Sequence, residues 1–373
     1  MLMPTTASEA SILVIGGGIA GSACAIRLRQ QGIAVDLVEK ESFPRPKVCG
    51  CCIGVTGLAM LDRLGLKQFA KDRGVSTDRW CASMGGRRIE VPLPTGLAIS
   101  RESLDPMLIE HAAAVGVNVA MRCEATVASV HKDRVDVRRN IAGSGDHQQS
   151  YSIVVVAAGL RAGGISRELP WTAAPHGPFG ISFLADVRDV ESGVIYMACD
   201  DDGYVGLVKL ADGRIDVAAA LRSGAASNGI APVERVRRLL ERSEFDFSSI
   251  ENASTAMTTP PLRRSRRVGN GRLMAIGDAA GYIEPFTGEG MTWALQSGVA
   301  AADVIAEHIH QPASVGDAWQ TRCLTLLAAE KRTCRWVTSA LRWPLARIVA
   351  AGSLAMFPGL ASPLVRGLNR SPS

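Results

Sequence analysis

The sequence predicts an α/β fold in which a parallel sheet is interrupted by an inserted antiparallel sheet and followed by a helical C-terminal region. Three observations carry this reading. A short apolar run, Ile12 to Ile15, leads through glycines into helically spaced apolar residues and a second apolar run ending at Glu39. That is the pattern of a βαβ unit buried on both faces. Two further buried runs, Ser152 to Ala158 and Arg272 to Ile276, return to the same sheet far along the chain. Between them, from about Pro175 to Pro261, the pattern changes to short alternating strands, as in a separate antiparallel layer.

In the opening unit, Gly16, Gly18 and Gly21 stand at G-x-G-x-x-G spacing, Ala20, Cys24 and Leu28 recur at helical spacing, and Gly32 supplies a C-cap. Each part serves a dinucleotide for its own reason. Gly16 permits the tight turn, Gly18 lets backbone approach a pyrophosphate, and Gly21 lets helix pack on strand. The helix start offers free N–H groups to phosphate, and Glu39 can accept from a ribose hydroxyl.

The chain then continues through a Gly- and Pro-punctuated loop, Phe43 to Gly54, and a helix over Thr56 to Leu64. Residues 79–100 read as a β-hairpin turning at Gly85-Gly86, and a helix runs from Arg101 to near Gly116. Short strands follow at Val117–Ala120, Thr126–Val130 and Val135–Val137, with Gly143 to Ser150 expected as an exposed turn. In the inserted sheet, strands are expected at Gly180–Val187, Val194–Cys199, Tyr204–Leu210 and Arg214–Leu221, with a helix over Pro232–Arg242. The run Arg263 to Arg267 reads as a solvated basic connection, with phosphate or membrane contact as the alternative. A long helix runs from Met291 to His308, and the remainder is helical. The domain division is therefore 1–75, 101–170 and 262–310 for a discontinuous nucleotide domain, 76–100 and 171–261 for the inserted sheet, and 311–373 for a basic helical region.

A chain of 373 residues suits roughly two domains. With 47% hydrophobic and 21% charged residues, disorder is excluded as the main state. The net charge is +5, but from Lys331 onward there are Lys331, Arg332, Arg335, Arg342, Arg347, Arg366 and Arg370 and no acid. This favours an anionic ligand or surface and lacks the aromatic–basic pattern of a nucleic-acid binder. The uncharged stretch between Arg347 and Arg366 approaches the length of a membrane span. Gly352, Pro358, Gly359 and Pro363 interrupt it, so it reads as a broken helical pair over a pocket or on a membrane surface. Nine cysteines in a chain of this size do not make a disulfide framework. The N-terminus lacks the basic and apolar regions of a signal peptide, and a reducing cytoplasm is the expected compartment.

Gly277-Asp278 ends a strand ahead of a helix, and Gly288-Glu-Gly290 opens that helix with uncovered N–H groups. A flavin uses both features. A carboxylate at Asp278 can accept from the ribityl hydroxyls, and a helix start beneath the N1/C2=O edge stabilises an anionic reduced ring.

Four motifs in order carry a family resemblance: Gly16-x-Gly18-x-x-Gly21 with Glu39, Lys47-Val-Cys-Gly50, Arg101-x-x-Leu-Asp105, and Gly277-Asp-Ala-Ala-Gly-Tyr-Ile-Glu-Pro-Phe-Thr-Gly-Glu-Gly290. Over residues 10–165 and 262–310 the chain resembles the FAD-dependent geranylgeranyl reductase family. That family lies within the p-hydroxybenzoate hydroxylase-type flavoproteins, which also include flavin-dependent halogenases. The resemblance implies a Rossmann-like FAD-binding domain of the GR2 type. It implies that Gly16, Gly18, Gly21 and Glu39 hold the adenosine half, with Ile19, Ala20 and Lys40 beside them. Arg101 would approach the phosphates or ribityl chain, Gly277 and Asp278 the pyrophosphate–ribitol region, and Gly288, Gly290 and Met291 the isoalloxazine. Lys47, Cys49 and Gly50 resemble a loop beside the flavin ring, which makes Cys49 and Lys47 the catalytic candidates. Tyr204 falls on a strand facing substrate in that family, although Val205-Gly206-Leu207 replaces most of its aromatic pattern.

Departures separate the relatives. Gly281 stands where hydroxylases carry histidine, and Ala158-Gly159-Leu160-Arg161 replaces their Asp-Gly pair. None of the six tryptophans forms the W-x-W-x-x-P of tryptophan halogenases. The expected function is FAD-dependent reduction of a C=C bond in a hydrophobic isoprenoid, lipid or polyketide-like molecule. Aromatic or polyketide monooxygenation, halogenation and a non-catalytic FAD-binding role are the alternatives. With one G-x-G-x-x-G, NAD(P)H would dock transiently or electrons would come from a partner reductase. Cys49-x-Cys51-Cys52 lacks further ligands at zinc spacing, so no metal is expected. Peripheral membrane contact through the C-terminal region is the remaining partner expectation.

Overall fold

The computed structural model describes residues 11–141, 145–224, 229–247, 250–284, 288–341, 343–357 and 359. Ile12–Ile15 sits inside a six-stranded sheet ordered Gly269–Asn270, Leu273–Ala275, Ile153–Val156, Ile12–Ile15, Asp36–Glu39, Asn118–Met121. All neighbours are parallel except the first pair. Leu13, Val14, Val154 and Val155 have no exposed surface, as an apolar strand covered on both faces requires. Helix Ile19–Gln30 packs against helix Gly290–Glu307. The approach is close because a methyl group on Gly298 would lie 2.3 Å from the Ala20 carbonyl oxygen. Trp319 is fully buried and donates from Nε1 to the Ala275 carbonyl at 2.8 Å, which fastens helix Val315–Leu326 to the sheet.

The second sheet has nine strands, ordered Gly281–Tyr282, Met257–Arg266, Trp171–Ala185, Ile215–Leu221, Gly203–Lys209, Val194–Cys199, Val75–Met84, Arg87–Ala98, Cys52–Ile53. It is antiparallel apart from one junction, where Val194–Cys199 runs parallel to Val75–Met84. The hairpin Val75–Met84/Arg87–Ala98 turns at Gly85 and Gly86, both with positive φ (58° and 69°), as a two-residue hairpin loop needs. One face of this sheet buries Ile181, Phe183, Val205, Leu207, Val217 and Leu221 against Val236, Leu239 and Leu240 of helix Pro232–Glu241. The opposite face is left for the site.

Two expectations are corrected. Gly145–Tyr151 is a strand, paired with Val135–Ile141 in a three-stranded sheet with Cys123–Val130; its polar residues are exposed because the strand lies at an edge. Gly143 and Ser144 lie outside the described residues. The basic run is not a solvated connection. Arg263 to Arg266 end strand Met257–Arg266, and Arg264 and Arg266 are buried, with Arg266 stacked 3.6 Å from the Trp171 ring centre. Arg264 donates to the Leu160 and Pro261 carbonyls. Among the described residues the Arg266 side-chain nitrogens have no hydrogen-bond partner, and the Trp171 face is what the group rests on.

Helices Ala328–Ala340 and Pro344–Met356 follow. Arg347 is buried and bonds the Asp201 carboxylate and the Asp200 carbonyl, pinning the last helix to the nine-stranded sheet. Arg366, Arg370 and Pro363 lie outside the described residues. Among the described residues no helix is long and apolar enough to cross a membrane.

Candidate active site

Gly16 turns at φ 108°, and a side chain there would run into the Ala157 carbonyl at 2.5 Å. Gly21 is needed for contact, since a methyl group would sit 1.9 Å from the Gly16 carbonyl oxygen. Gly18 differs from both. A methyl group in its place would meet only Arg101 Nη2 and Lys47 Nζ, both 3.8 Å away. The loop is therefore open on the side where cations gather, directly ahead of a helix N-terminus.

Those cations are held by Asp105, a motif residue to which the sequence alone assigns no role. Asp105 has no exposed surface, and it accepts from Arg101 Nε and Nη2 at 2.7 and 2.8 Å and from Lys47 Nζ at 2.6 Å. Burial opposes its ionisation, but Arg101 and then Lys47 hold the carboxyl below its ordinary value. One carboxylate between two cations leaves a net positive cluster beside the glycine loop. Glu39 is buried and accepts from the Gly17 and Glu41 amides at 2.8 and 3.0 Å, so its carboxylate is fixed before any ribose arrives.

One cavity of about 1150 Å³ runs from this loop to the second glycine-opened helix, above the usual range of about 300–1000 Å³ for a single small-ligand pocket. Gly16, Gly18, Ile19, Ala20, Glu39, Lys40, Lys47, Cys49, Gly50, Arg101, Tyr204, Gly277, Asp278, Gly288, Gly290 and Met291 all line it. Gly21 does not, because it is spent on packing. Burial raises the Asp278 carboxyl, and Arg101, Lys331 and Arg264 oppose the shift. Gly288 turns at φ 77° with Cys52 Cβ 3.1 Å from where a side chain would begin.

The far wall is the free face of the nine-stranded sheet. In register across it stand Gly180, Ala220 and Tyr204; then Ser182, Ala218 and Gly206; then Leu184, Asp216 and Val208. Small residues dominate the first two rows, which is where the expected aromatic pattern is missing. The loss of rings makes room. Trp80, Met84, Val91, Ile195 and Met197 extend the apolar wall, and Leu341, between the last two helices, covers it together with Ala350 and Leu354 of helix Pro344–Met356.

The cysteine cluster divides. Cys51 and Cys52 are buried, and burial raises Cys52 well above an ordinary thiol. Cys49 faces the cavity. Its sulfur accepts from the Cys51 amide at 3.3 Å, Cys51 being held at φ 51°. Hydrogen bonding from Cys51 and the Arg101 charge outweigh burial and bring Cys49 down to about 7. Among the described residues no group of three His, Cys, Asp or Glu side chains is placed to hold a metal ion.

Among the cavity-lining acids, Asp216 and Glu289 carry no role in the sequence motifs. Asp216 was hidden because the alternation Ile215, Val217, Ala219 marks one core face, and a polar residue on the other face looks merely solvated. Glu289 was a spacer within Gly288-Glu-Gly290. It is 6% exposed, and burial pushes it up to about 7.

A cationic glycine loop and a second glycine-opened helix on one elongated cavity define a flavin-dependent oxidoreductase. The chain belongs to the FAD binding domain family, whose model matches residues 9–327. It is 25% identical over 322 residues to menaquinone reductase of Mycobacterium tuberculosis, covering 80% of this chain and 76% of that one. It is 27% identical over 327 residues to digeranylgeranylglycerophospholipid reductase 2 of Methanopyrus kandleri, covering 81% and 78%. Among solved structures, p-nitrophenol 4-monooxygenase PnpA from Pseudomonas putida superposes with a TM-score of 0.78 at 18% identity, over 98% and 99% of the two chains. That likeness concerns the fold.

Proposed function

We propose that the protein uses FAD to reduce a carbon–carbon double bond in a hydrophobic, isoprenoid-type molecule. The observation that carries the reading is the single cavity, cationic and glycine-lined at one end and walled by small apolar residues at the other. The reductase names of the relatives over four-fifths of the chain support the same reaction class.

FAD, when bound, supplies two-electron hydride chemistry. Gly16, Gly18 and the start of helix Ile19–Gln30 hold its pyrophosphate with Arg101 and Lys47, and Glu39, with Ile19, Ala20 and Lys40 alongside, holds the ribose. Gly277 and Asp278 accept from the ribityl chain, while Gly50, Gly288, Gly290 and Met291 border the ring. Segments 1–75, 101–170 and 262–310 thus serve the cofactor, and segments 76–100 and 171–261 the substrate, Tyr204 among them. The apolar wall excludes water, which strengthens every fixed charge in the cavity. Cys49, with Lys47 near it, is the reactive pair on the loop. The electrons come from NAD(P)H or a partner reductase. Exposed Trp336, Trp343, Leu345, Ile348 and Val349 near the cavity cover support a lipid-facing C-terminal region.

The test is anaerobic single turnover. Chemically reduced, FAD-loaded protein mixed with a polyprenyl olefin or a menaquinone should yield a product two hydrogens heavier, with no oxygen required. A product that forms only with oxygen and carries an oxygen atom would instead mark a monooxygenase.

A further inference from the structure

We propose that Asp216 is the internal acid of this site, storing the proton that one carbon of the reduced double bond receives. The proposal rests on the double-bond reading above and names the group that completes it.

Asp216 lies on strand Ile215–Leu221, flanked in register by Val208 on one side and Leu184 on the other. It is 5% exposed and borders the cavity, and its Oδ2 is buried without a hydrogen-bond partner. A carboxyl group kept for architecture would have both oxygens satisfied. The ionisable groups around it are the thiols Cys49, Cys51 and Cys52. It has sulfur for company and apolar strands on both sides, so the charged form has little to stabilise it. Burial first, and then the Cys49 sulfur, raise the carboxyl well above its ordinary value, and a contact with the Cys51 side chain only partly offsets them. Cys51 connects the acid to Cys49, whose sulfur faces the cavity beside Arg101.

The balance is simple. One alkene carbon gains a hydride, with the electron pair coming from the reduced flavin. The π bond breaks toward the other carbon, which takes the Asp216 proton as its O–H bond breaks. Asp216 is left as a carboxylate in a wall that disfavours it, and it regains a proton from water when the product leaves. Substrate gains two hydrogens and two electrons, and no oxidant is consumed.

The first measurement needs no cofactor. Infrared difference spectra of FAD-free protein, wild type minus Asp216→Asn, should show the stretch of a protonated carboxyl at pH 7. The second is turnover. Asp216→Asn, which keeps shape and volume, should lose on the order of 100-fold in kcat, within the range for a general acid, with KM and FAD absorbance unchanged. Should Asp216→Asn fold poorly, the same difference spectrum is taken against Asp216→Ser, because the raised carboxyls of Glu289 and Asp278 cancel in the difference. Absence of the protonated band at pH 7, or an Asp216→Asn turnover within about threefold of wild type, overturns the role of Asp216 alone. Wild-type protein that holds FAD and shows the band, yet leaves olefins unreduced anaerobically, overturns the reaction reading and the donor role with it.

Discussion

Arg101 grips Asp105 with two hydrogen bonds, 2.7 and 2.8 Å, across one turn of the same helix. The pair makes a fixed cationic face out of a flexible side chain, and Lys47 joins it from a distant loop. Removing one member of a buried pair strands the others. Asp105→Asn should therefore cost about 3 kcal/mol of stability, the lower end of the usual range because both cations keep some contact with water. Urea unfolding of the FAD-free protein measures this. A loss below about 1 kcal/mol would mean that Lys47 and Arg101 simply turn to solvent.

Gly18 and Gly21 belong to one motif yet should fail differently. Gly18→Val fills open space beside Arg101 and Lys47, so FAD should be lost while the unfolding midpoint holds. Gly21→Ala places a methyl group against backbone and should destabilise the fold by about 1–3 kcal/mol. Asp278→Ala should likewise leave the unfolding midpoint in place, with FAD weakened about tenfold rather than lost. Visible absorbance after gel filtration, paired with thermal unfolding, separates the outcomes.

Cys49 should be the thiol that reacts first. Its alkylation rate should rise with pH and reach half its maximum near 7. Arg101→Gln removes a cation that favours the thiolate, so the midpoint should move up. The sign for stability follows from a depressed folded pKa. The contribution is full above 9, the thiol's ordinary value, and is lost as pH falls through about 7. Peptide mapping after iodoacetamide treatment reads the site.

Glu289 runs the opposite way. Its folded pKa is raised from 4.5 to about 7, so the folded state keeps a proton that the unfolded chain gives up. Stability of the FAD-free protein should fall by about 3 kcal/mol as pH rises across that interval, then level off. Glu289→Gln should remove this component. Equal pH profiles for wild type and variant would show that the carboxyl ionises freely.

The parallel sheet was legible because burial on both faces writes an unbroken apolar run, and the dinucleotide loop because its glycines have no substitutes. Cys49 was legible through its motif. Asp105 stands within a sequence motif, but a carboxylate on a helix does not announce which distant lysine will reach it. Asp216 was the hardest to see. Strand alternation separates inside from outside, and here the outside of one sheet is the inside of a cavity. The same ambiguity hid Arg264, which the backbone carbonyls take up, and Arg266, which the Trp171 ring covers. Strand Gly145–Tyr151 failed for the converse reason, since an edge strand with polar side chains looks like a turn.

The bare rows Gly180–Ala220–Tyr204 and Ser182–Ala218–Gly206 leave the cavity's reach set by vacancy rather than by contact. A ring introduced at position 218 would act as a stop along the channel. On the proposed prenyl-substrate reading, Ala218→Phe should exclude long tails while short ones still enter, a caliper with a shorter jaw.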